Sequence, residues 1–232
     1  MSDIYAVVGP PPHTFFYSTA HLYEANATQG YDDFTKDQLI QSRMKLIDRI
    51  TEAHYMLQDP QKQLHFLIRD AKSAFDMVSD YPTSETIKQG FSNNMTFDMR
   101  KLFRDLLKID TGKLNALPPE KVLGYLDERY RTVGVEITFT ETVEKGLLEL
   151  EHLGKNAGLY DRISMLFGLL DTVGYAKDKE TDKSDFARLW DANHAYFAAH
   201  LDIFLTNDRR TKKKTELVYY LLEIPTRVLS IP

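Results

Sequence analysis

Apolar positions recur at three- and four-residue intervals through most of the chain, and that spacing predicts a largely helical protein. Over 36–58 the residues Ile40, Met44, Ile47, Ile50 and Leu57 keep a helical period, which Asp59-Pro60 closes. The same period predicts further helices at about 61–78, 84–90, 96–107, 119–130, 140–153 and 159–173. The two ends read differently. Thr14-Phe15-Phe16-Tyr17-Ser18 follows Gly9-Pro10-Pro11-Pro12 and reads as a loop entering a buried strand. A helix is expected from Ser18, carrying Ala20, His21, Leu22 and Glu24.

Near the other end, 174–184 has no apolar period and alternates charge, so an exposed loop is expected. Ser184 then caps a helix running through Phe186, Leu189, Trp190, Ala195, Phe197 and Ala198 to about His200. Ile203-Phe204-Leu205-Thr206 is a compact apolar run of the kind found in a strand buried on both faces, and Asn207-Asp208 marks its carboxyl end. A second amphipathic helix from about Thr211 carries Leu217, Val218, Leu221 and Leu222, and after Pro225 comes a last strand, Thr226-Arg227-Val228-Leu229. Strand, helix, strand over so short a span is a βαβ unit, which requires parallel pairing. The expected fold class is therefore α/β: one domain over 1–232, with a short, mainly parallel sheet drawn from both chain ends and a large helical insertion at about 36–170.

Composition narrows the chemistry. The 232 residues contain no cysteine, which excludes disulfides, thiolate zinc sites and a cysteine nucleophile. A net charge of -5 argues against a surface that coats nucleic acid broadly, while leaving room for a local basic patch. No apolar run reaches membrane-helix length, and 1–12 lacks the charged start and apolar stretch of a signal peptide, so a cytoplasmic protein without a membrane partner is expected. No phosphate-binding G-x-x-x-x-G-K, dinucleotide G-x-G-x-x-G or G-x-S-x-G elbow is present.

The stretch from Asp191 through Asp202-Ile203-Phe204-Leu205-Thr206-Asn207-Asp208 resembles the carboxyl-terminal half of the PIN-like family of metal-dependent nucleases. In that family an acid opens the penultimate helix and a second acid follows a buried strand in a T-x-D pattern, and the positions here are Asp191 and Thr206-Asn207-Asp208. Ile224-Pro225-Thr226-Arg227-Val228-Leu229-Ser230 is similar to the family's last strand, and Tyr17-Ser18-Thr19-Ala20-His21-Leu22-Tyr23-Glu24 to its second strand and the helix with its acid, Glu24. These blocks span about a quarter of the chain. Members open with a hydrophobic strand ending in aspartate. Here only Met1-Ser2 precede Asp3, and Asp3 with Ile4-Tyr5-Ala6-Val7-Val8 stands as that motif's remnant.

What the resemblance implies is a metal-dependent ribonuclease or related phosphodiesterase acting on single-stranded nucleic acid, RNA first. Its catalytic acids would be Asp191, Asp208 and Glu24, and Asp3 would join them as metal ligands. Converging carboxylates repel one another, and a divalent cation with a preference for oxygen, magnesium or manganese, relieves that repulsion. The resemblance also leaves room for an inhibitory, antitoxin-like protein partner and a homo-oligomer. The rival reading, which the shortened opening favours, is a non-catalytic nucleic-acid-binding or protein-interaction module that has lost part of the acidic site.

Each residue also has a plainer reading. Asp208 would serve equally as the cap of the helix after it. Arg209, Arg210, Lys212, Lys213 and Lys214 read either as a solvated charged face or as phosphate contacts, with Arg209, Arg210 and Lys212 the candidates for substrate binding. Positive charge at a helix start opposes the helix dipole, so local stability does not account for the cluster. His194 and His200 belong to no H-E-x-x-H pattern; His194 stands one turn after Asp191, within reach of its surroundings. Trp190, Tyr196 and Phe197 are expected in the core.

Overall fold

The computed structural model describes residues 2–26, 32–59, 61–78, 97–152, 158–177 and 184–231. The chain is a mixed helical and strand protein that divides into two compact units, 1–89 and 90–232.

In the first unit, a short helix α1 (Ser2–Val8) precedes β1 (Tyr17–Ser18), and α2 (Thr19–Asn26) starts directly from that strand. Next come α3 (Asp33–Thr51), β2 (His54–Gln58), β3 (Leu64–Ile68) and α4 (Ala71–Val78). β1 pairs parallel with β2, and β2 antiparallel with β3. Tyr17 and Tyr55 stack at 4.8 Å between ring centres on one face of this sheet, in a core with Leu22, Ile40, Met44, Ala74 and Phe75 from α2, α3 and α4. Burial accounts for the raised pKa of both tyrosines, and the Tyr17 hydroxyl donates to the Arg69 carbonyl at 2.6 Å.

Here the structure corrects the helical period. The helix expected over 36–58 stops at Thr51, because Glu52 (φ 50°) and Ala53 (φ 63°) adopt left-handed conformations that end it. Leu57, in phase with that period, lies instead on β2. The helix expected over 61–78 is a strand and then a shorter helix, Asp48 on α3 accepting the Ala71 N–H at 2.7 Å to start α4. The strands near the two termini also fall into two sheets rather than one: β1 joins β2, and the carboxyl-terminal strands join each other. The helix expected at 84–90 lies outside the described residues.

In the second unit the helices follow in the order α5 (Phe97–Leu106), α6 (Thr111–Ala116), α7 (Pro119–Thr132), α8 (Phe139–His152), α9 (Leu159–Val173) and α10 (Ser184–Ala198), and all but the short α6, which the sequence period does not predict, match the expected spans closely. Then come β4 (Ile203–Leu205), α11 (Arg209–Leu221) and β5 (Arg227–Leu229), with β4 and β5 parallel, as the βαβ reading requires. Helix α9 is the centre of this unit, packed by α5, α8, α10 and α11, and buries Ile163, Leu166, Phe167, Leu170 and Val173. The unit's core aromatics include Phe139, Trp190, Tyr196, Phe197 and Tyr219.

The turn after α9 departs from the exposed loop that its charge pattern predicts, for Tyr175 and Ala176 are buried. Asn115 of α6 holds them: its Nδ2 donates to the carbonyls of Thr111 (2.7 Å) and Gly174 (2.9 Å), and its Oδ1 accepts the Ala176 N–H at 2.6 Å. Burial first, and then the Glu216 charge, pushes the Tyr175 hydroxyl up to about 12. A phenol whose pKa is higher folded than unfolded contributes stability that is intact below about pH 10 and lost as pH climbs toward 12. Unfolding free energies from urea denaturation should fall by up to about 1.4 kcal/mol per pH unit between about pH 10 and 12 from this group alone, and Tyr175→Phe should flatten that slope.

Candidate functional site

Strand β4 delivers the chain to Thr206-Asn207-Asp208, and this turn is held from both sides. The Thr206 N–H donates to the Leu229 carbonyl (3.0 Å), the Ile231 N–H to Asn207 Oδ1 (3.2 Å), and the Asp208 N–H to Thr206 Oγ1 (3.2 Å). Asp208 thus stands at the carboxyl edge of β4, where open parallel sheets present their ligand-binding residues. It is also the cap of α11: Oδ1 accepts the N–H groups of Arg210 (2.7 Å) and Thr211 (3.1 Å). Both cap bonds fall on Oδ1, the side chain is exposed, and Oδ2 takes part in neither. A cap and an outward carboxylate are compatible in one residue.

The cap allows shape to be separated from charge. Asparagine caps as well as aspartate, so Asp208→Asn should leave thermal stability nearly unchanged, whereas Asp208→Ala should lose about 1 kcal/mol. Chemical denaturation of the two variants beside the parent measures the difference.

Asp191 is half-buried on α10, two turns from its start, between buried Trp190 and buried Ala192. The helix is anchored to the carboxyl-terminal elements: the Tyr219 hydroxyl donates to the Ala195 carbonyl (2.5 Å), and Thr226 Oγ1 to the Leu201 carbonyl (2.7 Å). Burial raises the pKa of Tyr219. His194, three residues on from Asp191, is also half-buried. His200 lies edge-on to Tyr196 at 5.2 Å, and burial lowers its pKa.

The five bases after Asp208 do not act as one patch. Arg209 and Arg210 are exposed. Lys212 is half-buried and 3.6 Å from Glu216, its i+4 neighbour. Lys213 turns inward, Nζ donating to the Asn115 carbonyl and lying 5.6 Å from the centre of the Tyr175 ring. Lys214 is fully buried, with Nζ 2.6 Å from Asp171 Oδ1 on α9. Two of the bases therefore hold the core together, which revises the view that local stability does not account for the cluster.

No family profile, curated protein or solved structure matches this chain, so its chemistry rests on its own geometry.

In the first unit, Glu24 is exposed on the last turn of α2, and Asp3 is exposed in the first turn of α1. Asp3 thus belongs to a helix, not to the end of a strand: the apolar run Ile4–Val8 that suggests a strand remnant is wound helically. Among the described residues, no three Asp, Glu or His side chains are gathered closely enough to hold a metal ion by themselves.

A polar cluster at the end of β1 escapes the sequence reading. The Ser18 N–H donates to His21 Nδ1 at 3.1 Å, with Ser18 Oγ at the same distance. Thr19 Oγ1 is 3.0 Å from the Tyr55 hydroxyl. Because Nδ1 accepts from the backbone, a neutral His21 ring carries its proton on Nε2. The signal is the Ser-x-x-His spacing at a strand-to-helix junction, which brings residues i and i+3 onto one side of the first helical turn.

Proposed function

We propose that the protein is a metal-dependent nuclease for single-stranded nucleic acid, RNA first, in which Asp191 and Asp208 are the acids that hold the metal. The observation that carries this is the placement of Asp208: an exposed carboxylate at the carboxyl edge of β4 in a parallel β4–α11–β5 unit, with one oxygen outside the cap bonds. Asp191, on the helix that feeds β4, offers a second carboxylate. These are hard oxygen donors without sulfur or a histidine pair, a donor set that suits magnesium or manganese rather than zinc. Such a cation, when bound, activates water and neutralises charge on a phosphodiester under in-line attack. Around it, Arg209 and Arg210 are exposed next to Asp208 and suited to phosphate oxygens, with Lys212 weaker because Glu216 competes for it.

The test is cleavage of a fluorescent single-stranded RNA with and without millimolar magnesium or manganese. Asp191→Asn and Asp208→Asn should each lower the metal-dependent rate by more than about 100-fold, beyond what a mere supporting residue of a metal site contributes. Their thermal stability should hold. Absence of metal-dependent cleavage by the parent protein, or full activity of both variants, would discard the reading. A second reading, a binding module without catalysis, draws on the cap itself, which gives Asp208 a structural role that needs no metal. It predicts RNA or protein binding that survives chelation of metal.

A further inference from the structure

Among the described residues, strand β3 is at the edge of its sheet, and its alternation is unusual for an edge. The residues flanking the β2–β3 ladder set its parity, with the Asp59 N–H donating to the Gln63 carbonyl (2.9 Å) and the Arg69 N–H to the Ala53 carbonyl (2.8 Å). In an antiparallel ladder the residues of one parity face the partner strand, so the N–H and C=O groups of Leu64, Phe66 and Ile68 point away from β2. Their side chains share one face, and there Phe66 is 52% and Ile68 72% exposed. Phe66 and His54 both lie edge-on to Phe16, at 5.5 Å, extending an aromatic strip on that face. The five residues 64–68 include no proline, lysine or bulge, the devices that ordinarily keep an edge from pairing.

We propose that β3 is a homodimer interface, in which the edge strands of two copies pair antiparallel about a two-fold axis at Phe66 and join two three-stranded sheets into one of six. The backbone parity selects this register. Phe66 pairs with Phe66 of the second copy, and Leu64 with Ile68, so every outward group of the strand takes part in a six-bond ladder. Beyond the two ends of the ladder, the same register brings the turn carrying Lys62 of each copy to the end of the strand that carries Asp70 of the other, both exposed, so the ends of the interface are charge-complementary. The two-fold also doubles the Phe16–Phe66–Ile68 face into one continuous apolar strip. Nucleic acid is the less suitable occupant, since residues 1–89 carry twelve Asp and Glu against eight Lys and Arg. The proposal is independent of the nuclease reading.

The cysteine-free chain makes the register directly testable. In full-length protein, Phe66→Cys places two sulfurs on residues about 5.5 Å apart across the two-fold, within disulfide reach. Ile68→Cys places its mates about 14 Å apart, beyond it. Mild oxidation should crosslink Phe66→Cys to a dimer and leave Ile68→Cys monomeric. Sedimentation equilibrium of the parent should give about twice 26.8 kDa at micromolar concentration. Phe66→Lys/Ile68→Lys should sediment as a monomer with an unchanged far-UV spectrum, and Lys62→Glu should weaken the dimer about tenfold. A parent that stays monomeric up to about 100 μM, or equal crosslinking at 66 and 68, overturns the proposal. So does a monomer that binds a single-stranded oligonucleotide and loses it on Phe66→Ala, since that would make the strip a base-stacking platform.

Discussion

Replacing Lys214 with methionine should destabilise the second unit by about 3–5 kcal/mol, the range observed when one partner of a buried ion pair is removed. Lys214 is wholly inaccessible and Asp171 nearly so, with 2.6 Å between Nζ and Oδ1, so the pair joins α11 to α9 at the centre of the unit. Methionine fills the same volume, which leaves the loss of charge as the main change, and the buried Asp171 carboxylate then loses the countercharge 2.6 Å away. For a cooperative unit of this size the melting temperature should fall on the order of 10 °C. The double variant Lys214→Met/Asp171→Leu should recover most of that loss, because a well-packed apolar pair removes the desolvation that the ion pair must offset. A double-mutant cycle in urea measures the coupling. A single variant within about 1 kcal/mol of the parent would show that the pair is not buried as described.

The second large effect concerns the turn at the end of α9. Gly174→Ala should lose about 2–4 kcal/mol, from two sources that can be separated. Gly174 ends α9 in the left-handed region at φ 83°, ψ 19°, where a side chain introduces strain of about 1 kcal/mol. A Cβ there would also stand 2.8 Å from Thr111 Cγ2 and 3.1 Å from Arg104 Cδ, neither of which has room to retreat: Arg104 is buried with Nη1 donating to the Thr172 carbonyl, and Thr111 starts α6. Thr111→Ser deletes the offending methyl, so Gly174→Ala/Thr111→Ser should regain the steric part while the backbone part remains. Equilibrium denaturation of the three proteins reads both. Because Asn115 ties Gly174 and Ala176 to α6, the strain should also appear as faster amide exchange at Ala176.

Both effects lie next to the candidate site without belonging to it. Lys213 and Lys214 sit in the same helix that Asp208 caps, so the helix presenting Arg209 and Arg210 to solvent is fixed in place by two lysines further along it. A screen that replaced all five bases together would therefore confuse unfolding with loss of phosphate contact. Arg209→Ala and Arg210→Ala are the variants that test the proposed phosphate contact.

In the second unit, much of the architecture was legible in the chain itself. Helices there bury one apolar stripe each, and a stripe at a 3.6-residue period is written in consecutive residues; Leu159–Val173 can be read without knowing what packs against it. The parallel β4–α11–β5 unit was legible for the same reason, since two short apolar runs flanking one amphipathic helix admit parallel pairing and little else. Asp208 as a cap was equally local, a side chain reaching backbone two and three residues on.

The first unit resisted because β2 and β3 are only five residues each, and Leu57 falls in phase with a helix by coincidence. What makes 54–58 a strand is its pairing with Tyr17–Ser18 on one side and Leu64–Ile68 on the other, partners that no local pattern names. The basic run shows the same divide. Sequence determined that five cations come after Asp208, but only the packing of α11 on α9 decided that Lys214 would point inward at Asp171 while Arg209 and Arg210 met solvent, because the direction of a side chain on a helix depends on which face its neighbours cover.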